Sequence, residues 1–209
     1  MNKYRKLEAS EIDVLRANRC IAADWDLIEV APDFSPDHIV QTHFSGRIRL
    51  GAFRKEFHLP GGMKKHSGIC CAALHNVTVG DDCCIENVRN YIANYVIGRG
   101  TFIANVDIIL TDGHTGFGNG VKVSVLNETG GKEIEIFDRL TAQSAFLMAM
   151  FRSHAGALSG LHSMISRYVS SVSSDVGTIG EDVIIAGTAY IKNVRIGDCC
   201  RIEGASRLK

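Results

Sequence analysis

Apolar residues recur at every sixth position through VGDDCCIENVRNYIANYVIGRGTFIANVDIIL, residues 79–110, and this period excludes most folds. Steps of six from Val79 land on Ile85, Tyr91, Ile97, Ile103 and Ile109. Neither the 3.6-residue repeat of a helix nor the alternation of one long strand fits as well. A shift of eighteen residues sets Asn76 on Asn94, Gly80 on Gly98, Ile85 on Ile103, Asn87 on Asn105 and Val88 on Val106. A six-residue unit with one inward aliphatic residue is a short strand plus a corner. Three such units close a triangular coil whose next turn stacks strand on strand about 4.8 Å higher.

Corners require residues that tolerate unusual backbone angles, and Asn87, Asn105, Gly187 and Gly204 each follow an inward aliphatic by two residues. The period returns near the C-terminus at Ile179, Ile185 and Ile191 and, after a slip of one residue, at Ile196, Ile202 and Leu208. Two residues before each aliphatic the coil calls for a small inward side chain. Cys83, Thr101, Val183, Ala189, Cys200 and Ser206 occupy that place, as do Arg89 and Asp107, which stand one coil apart and are expected to pair.

Through IGEDVIIAGTAYIKNVRIGDCCRI and VGDDCCIENVRNYIANYVIGRGTFI the chain resembles the left-handed parallel β-helix of the transferase hexapeptide superfamily. The resemblance covers residues 44–111 and 176–209, and the left hand is implied by it, since crossovers are ordinarily right-handed. The run IRLGAFRKEFHLPGGMKKHSGI, followed by LHNVTVG, is similar to an uncharacterised bacterial family of longer hexapeptide-repeat proteins.

The expected fold class is therefore mainly β: a three-sided left-handed parallel β-helix of eighteen residues per coil, with an N-terminal cap and an inserted β-hairpin plus α-helical hairpin. Residues 1–43 are read as the cap. In EASEIDVLRANRC, Ser10 with Asp13 three residues later predicts a helix start, with Ile12, Leu15 and Val14 as inward candidates, and DWDLIEVAPDFSPDHI reads as irregular. Coils are expected over 44–111. In the insertion, 112–175, Val121, Val123, Val125, Ile134 and Ile136 alternate about NETGG and predict a hairpin over 121–137. Leu140, Leu147 and Phe151, then Leu158, Leu161, Ile165 and Tyr168, recur at helical spacing on either side of Ala155-Gly156 and predict a helical hairpin over 138–171, with Met148 and Met150 as packing residues. Coils resume over 176–209. The sequence stops at Lys209 as a coil opens, and the expectation is a fragment of a longer protein or a covering second chain.

With 209 residues, 45% of them apolar, the chain can bury a sizeable core. Its formal net charge is zero, which argues against nucleic acid or an anionic membrane as partner. No secretory leader and no eighteen-residue apolar run is evident, so the expected location is cytoplasmic. Six of seven cysteines form adjacent pairs, Cys70-Cys71, Cys83-Cys84 and Cys199-Cys200. Neighbours in an extended strand point to opposite sides, which predicts core filling at Cys71, Cys83 and Cys200 in place of a disulfide or a metal site.

What the resemblance implies about function is acyl transfer from acetyl-CoA or another acyl-CoA to a sugar or nucleotide-sugar acceptor, by a homotrimer or other homo-oligomer with sites between subunits. In that class a histidine acts as general base, a role suited to imidazole. His75, held in a regular coil just before a corner, is the first catalytic candidate, and His114, in TDGHTGFGNG, the second. Asp112 beside His114, and His66 with Lys65, are candidates for binding substrate, and His66, which follows two lysines, is a candidate to meet a phosphate. The metal-using branch of the class needs three converging histidines; His66 and His75, or His154 and His162, supply no third ligand, so no metal is predicted. LPGGMKKHSG lacks the spacing of a phosphate-binding loop and reads as a Gly-Gly turn. The alternative is a non-catalytic β-helix serving as an oligomerisation or regulatory module of a larger protein, such as a sugar-phosphate nucleotidyltransferase.

Overall fold

A computed structural model describes residues 4–124, 133–150 and 155–209. The protein is mainly β, with two compact units. One comprises Met1–Asp112 with Val176–Lys209; the other is Gly113–Asp175.

The first unit is a stack of parallel strands whose register aligns three columns of aliphatic residues. In one column Ile39, Ile69, Ile85, Ile103, Ile185 and Ile202 are successive partners. In a second the order is Ala22, Phe44, Leu74, Ile92, Ile109, Ile191 and Leu208. The third runs Val30, Leu50, Val79, Ile97, Ile179 and Ile196. Except for Ala22, Ile202 and Leu208, which are partly buried, these residues are buried and form one core. Ile85 meets Ile103 eighteen residues on, whereas Ile185 meets Ile202 after seventeen, where the sequence places its slip.

Within residues 79–110 the step of six fails at one place. The register between the strands Cys84–Ile97 and Phe102–Leu110 shifts between Val106 and Ile108, so that Ile109 pairs with Ile92. Ile92 is buried, and Tyr91 faces out at 40% exposure. An extra residue before Tyr91 lengthens one step to seven and the next shortens to five, so a count of six passes through Tyr91 and is back in phase at Ile97.

Inward small positions are filled by Cys83, Thr101 and Val183, all fully buried. Thr188 is buried where Ala189 was expected, and Ala189 is exposed. Val88 and Val106 point inward in place of Arg89 and Asp107, which pair on the surface at 3.3 Å. Cys200 and Ser206, in the last coil, are exposed. The corners take left-handed angles, with φ of 52° at Asn87, 55° at Asn105, 59° at Gly187 and 68° at Gly204. Asn amides stack there: Asn76 Nδ2 donates to Asn94 Oδ1 at 3.2 Å, and Asn87 Nδ2 to Asn105 Oδ1 at 3.3 Å.

Parallel pairing begins before residue 44. Ile21–Ala22 and Ile28–Val30, inside the segment read as an irregular cap, pair in parallel with Ile39–Ser45 and Ile48–Leu50. Arg5–Lys6 runs antiparallel along Ile28–Val30 and takes up its outer edge. The helix Ala9–Ala17 starts two residues earlier than Ser10 suggests: Glu8 is its N-cap, and its backbone N–H donates to Glu11 Oε2 at 2.8 Å. Its inward residue is Leu15, and Val14 is exposed. Between the strand pair at 39–50 and the next coil the chain leaves the stack in an antiparallel hairpin, Glu56–His58 with Lys64–His66, turned by Gly61 and Gly62 at φ 81° and 83°. That excursion separates Ile39 from Ile69 by thirty residues and hides the repeat.

The second unit contains the antiparallel strands Val121–Ser124 and Glu133–Ile136 and the helices Ala142–Met150 and Ala155–Val172. The expected turn with Val125, and Phe151 and His154, lie outside the described residues. Ile134, Met148, Ala149 and Ile165 are buried, with Phe137, Leu140, Ala145, Leu161 and Val169 against them. Leu147 and Met150, assigned to packing from sequence, are exposed at 46% and 58%. No described helix is long and apolar enough to cross a membrane.

Candidate functional site

The hairpin at 56–66 lies against the outer face of the first column and shapes a groove of about 200 Å³. Phe57, Leu59 and Ile184 pack on Cys84, Phe102 and Ala104, with the Phe57 and Phe102 rings 5.5 Å apart. Lys55 Nζ lies 4.9 Å over the Phe57 ring and 3.3 Å from Asp182. Apolar contact and peripheral charge thus fix the hairpin to the coils. His38, His66, Ser67, Cys70, Cys84 and Glu86 are among the groove's lining residues.

The imidazoles of His38 and His66 are stacked, centroids 3.6 Å apart and planes 18° from parallel. His66 Nδ1 donates to the Ser67 carbonyl at 2.8 Å, because a carbonyl can only accept. In the neutral ring Nε2 then carries the lone pair. Burial, followed by the neighbouring His66, pushes the His38 pKa down, favouring a neutral imidazole beneath the stack. Gly68 is required here: a Cβ at this position would fall 2.8 Å from the His38 Cβ and on the His38 carbonyl oxygen.

Lys65 is ion-paired with Glu86, with Nζ–Oε2 at 2.6 Å. Its charge is thereby matched by a carboxylate that lines the groove. Burial pushes the Cys84 thiol up to about 12, with Glu86 adding to the effect. Cys70 is pushed up to about 11, by burial first and then by its hydrogen bond to Cys71. Both are thiols, not thiolates, near neutral pH.

His75 sits elsewhere, at an exposed corner. Its Nδ1 is 2.9 Å from Ser45 Oγ, and its Nε2 accepts from Asn76 Nδ2 at 3.0 Å. The Asn76 amide is oriented unambiguously, because its Oδ1 accepts from the Arg47 backbone N–H at 3.0 Å. Both His75 nitrogens are therefore engaged, and its lone pair is spent on Asn76, an arrangement that suits a corner brace better than a base. His114 Nδ1 lies 3.0 Å from Asp175 Oδ1 in the second unit, both well exposed. Asp112, in the first unit, accepts from Lys192 Nζ at 2.6 Å, and that ammonium holds its carboxyl below the usual range. The five residues singled out from sequence thus do not form one constellation: His66 and Lys65 share the groove region, while His75, His114 and Asp112 have separate partners.

A larger hollow of about 510 Å³ is lined by Pro32, Asp33, Ala52, Arg54, Asp81 and Asp82. Two of its acids are committed to the backbone, Asp81 accepting from Ala52 N at 2.9 Å and Asp82 from Arg54 N at 2.8 Å and Lys55 N at 3.0 Å, and Asp33 pairs with the Arg54 guanidinium. It reads as a braced corner. Among the described residues no three His, Cys, Asp or Glu side chains are grouped to hold a metal ion.

Sequence reasoning missed His38, Cys70, Cys84 and Glu86. The signal that would have found His38 is the thirty-residue offset of Ile39 and Ile69, which carries His38 to the edge of Gly68 once the hairpin is discounted.

Residues 4–209 match the family described as Domain of unknown function (DUF4954), and the chain belongs to that family. It is 28% identical over 219 residues to an uncharacterised protein of Treponema pallidum (strain Nichols), a match that covers 99% of this chain and 30% of that relative. The chain thus spans less than a third of the length of the curated relative it matches.

Proposed function

We propose that this DUF4954 chain is a left-handed parallel β-helix of the transferase hexapeptide class, and that a histidine-assisted group transfer takes place in the groove beneath the 56–66 hairpin. The reaction that fits the class is acylation of a sugar or nucleotide-sugar hydroxyl or amine with acetyl-CoA or another acyl-CoA as donor. The observation that carries the reading is His66: Nδ1 is anchored on a backbone carbonyl, and the lone pair of Nε2 belongs to a residue that lines the groove.

In this reading His66 Nε2 takes the proton of the acceptor as its oxygen or nitrogen attacks the acyl carbon. His38, stacked and neutral, holds the ring in plane and adds no competing charge before the transfer. The Lys65–Glu86 pair neutralises the Glu86 carboxylate of the wall, which suits an uncharged sugar hydroxyl. The groove is smaller than the 300–1,000 Å³ usual for a whole ligand, so it would hold the acceptor's reacting end. The class further suggests a homotrimer in the cytoplasm.

Thermal unfolding with and without millimolar acetyl-CoA tests the donor: at a hundred times its Kd, a ligand of the folded state adds about 2.7 kcal/mol. A saturable rise is expected. In an acceptor screen His66→Ala should lose acyl transfer by at least about a hundredfold while His75→Ala retains it, since a positioned general base contributes roughly 10²–10⁴. Full activity in His66→Ala would remove the assignment.

A second reading is favoured by the chain's covering only 30% of its Treponema relative. The stack would then be a non-catalytic oligomerisation or regulatory module of a larger protein, with chemistry in another domain. No response to acyl-CoA from a folded chain, together with activity in the longer protein that survives His66→Ala, selects it.

A further inference from the structure

Three adjacent cysteine pairs occur in the chain, and they are not equivalent. Cys83 and Cys84 stand at the start of the strand Cys84–Ile97; both are buried, and burial pushes each thiol up to about 12. Cys199 and Cys200 are both exposed. At Cys70 and Cys71 the thiols touch, with Sγ–Sγ at 3.4 Å. The cause is the backbone. Cys71 has a φ of 55°, and a left-handed residue interrupts the alternation that sends neighbouring side chains to opposite faces. This overturns the expectation of an inward, core-filling Cys71.

Neither thiol is sealed in the core. Both are half-buried; Cys70 lines the groove with His66, and Cys71 Sγ donates to the exposed Gln41 Oε1 at 3.2 Å. Two thiols in contact, reachable from solvent and held by a corner of a rigid stack, form a preorganised dithiol.

We infer that Cys70 and Cys71 form a redox-active vicinal dithiol, which closes to an intramolecular disulfide by exchange with low-molecular-weight disulfides and chelates trivalent arsenicals. In the exchange the Cys71 thiolate attacks one sulfur of the small disulfide, whose S–S bond breaks, and the first small thiolate leaves. Cys70 then gives up its proton, its sulfur attacks the Cys71 sulfur of the mixed disulfide, and the second small thiolate leaves. The two protein thiols lose two electrons, the small disulfide gains them, and the two protons end on the two small thiols. Cys71 goes first because Cys70 is the thiol that burial disfavours as an anion.

The ring so formed would be labile. Adjacent Cα atoms are about 3.8 Å apart, below the roughly 4.4–6.8 Å that an unstrained disulfide spans, and such strain makes the bond more reducible. Closure would also take the Cys71 donor from Gln41 and reshape the groove wall at Cys70, so the dithiol can report redox state to the groove.

The test is oxidised glutathione on the full chain, followed by peptide mapping under non-reducing conditions. Expected is a Cys70–Cys71 peptide lighter by two hydrogens and restored by dithiothreitol, with Cys84→Ala behaving in the same way. Cys70→Ser should stop at a stable mixed disulfide on Cys71. Phenylarsine oxide should bind one per chain and lose about a hundredfold in affinity in either single Ser variant, because the second sulfur binds intramolecularly. Circular dichroism of each variant separates misfolding from loss of chemistry. Retention of both thiols, a stable mixed disulfide on the unaltered chain, or a link confined to Cys70–Cys84 or Cys199–Cys200 overturns the inference.

Discussion

The two units of the molecule solve the burial problem in opposite ways. The stacked coils use the same device at each level, one aliphatic per side pressed on the one below, and its columns are buried from Ile28–Val30 through to Ile191 and Ile196. Among its described residues the 113–175 unit has four buried hydrophobic residues in its cluster and leaves Phe146, Leu147, Met150 and Met164 between 46% and 58% exposed. A repeat distributes stability over neighbouring interfaces, each a copy of the next. A short hairpin-and-helix unit has a single small core and rests more on each residue within it.

The largest expected effect tests that contrast where the six-residue count fails. Ile92→Ala removes a fully buried column residue and should cost about 3 kcal/mol, within the 2–5 usual for such truncations. Tyr91→Ala, one position away and exposed, should cost about 0.5 kcal/mol or less. Chemical denaturation of both variants measures the difference. Equal costs would mean that the slip near Arg89 and Asn90 is misplaced. Ile165→Ala in the second unit should cost a similar 3 kcal/mol locally, read by hydrogen exchange in 155–172 with the coils still protected.

The stack was legible wherever its repeat ran uninterrupted. The slip between Ile191 and Ile196, the corner asparagines and the inward Cys83, Thr101 and Val183 all follow from spacing. Much of what was not legible has one physical cause: residues inserted into or near the coils. The 56–66 hairpin separates Ile39 from Ile69 and masks the first coils, so that Ile21–Ala22 and Ile28–Val30 read as an irregular cap. One extra residue exchanges Ile92 for Tyr91 without disturbing Ile97. The groove suffers most, because His38, His66, Cys70 and Glu86 meet only after the hairpin folds back on the coils. His75 looked well placed from its coil, and only its two hydrogen bonds show that its ring is occupied. The Cys70–Cys71 contact depends on one backbone angle, which no residue pattern announces.

A smaller effect, of about 1.5–3 kcal/mol for a hydrogen bond to a charged group, is expected at the edge of the stack. Arg5 donates to Glu11 at 2.8 and 2.6 Å, and Glu11 accepts from the Glu8 N–H. The Arg5 hydrogen bonds lead in holding the Glu11 carboxyl below its usual range. A carboxyl depressed in the folded state stabilises fully above its unfolded pKa, and the contribution fades as pH falls through the folded value. Glu11→Gln should therefore be less stable than the natural chain at pH 7, and the two should converge in acid. A gap that stayed constant down to pH 2 would show that packing, not charge, is what Glu11 supplies.

The smallest effect sets two kinds of contact between the same pair of strands against each other. Arg89 and Asp107 pair at 3.3 Å, but Arg89 is 73% exposed, and an exposed ion pair contributes roughly 0–1 kcal/mol and weakens with salt. Two residues earlier on each strand, Asn105 has a φ of 55° and accepts from Asn87 at 3.3 Å. For a residue other than Gly or Asn, that angle costs about 1–2 kcal/mol. Arg89→Ala should accordingly shift the unfolding midpoint barely, and not at all in molar salt. Asn105→Ala should lose about 1–2 kcal/mol at any ionic strength, most of it recovered by Asn105→Gly, which removes the angular penalty without restoring the amide ladder. If Asn105→Gly is as damaging as Asn105→Ala, the stacked amides and not the backbone angle hold the corner, and the recurrence of Asn along the coils is a hydrogen-bonding requirement before it is a conformational one.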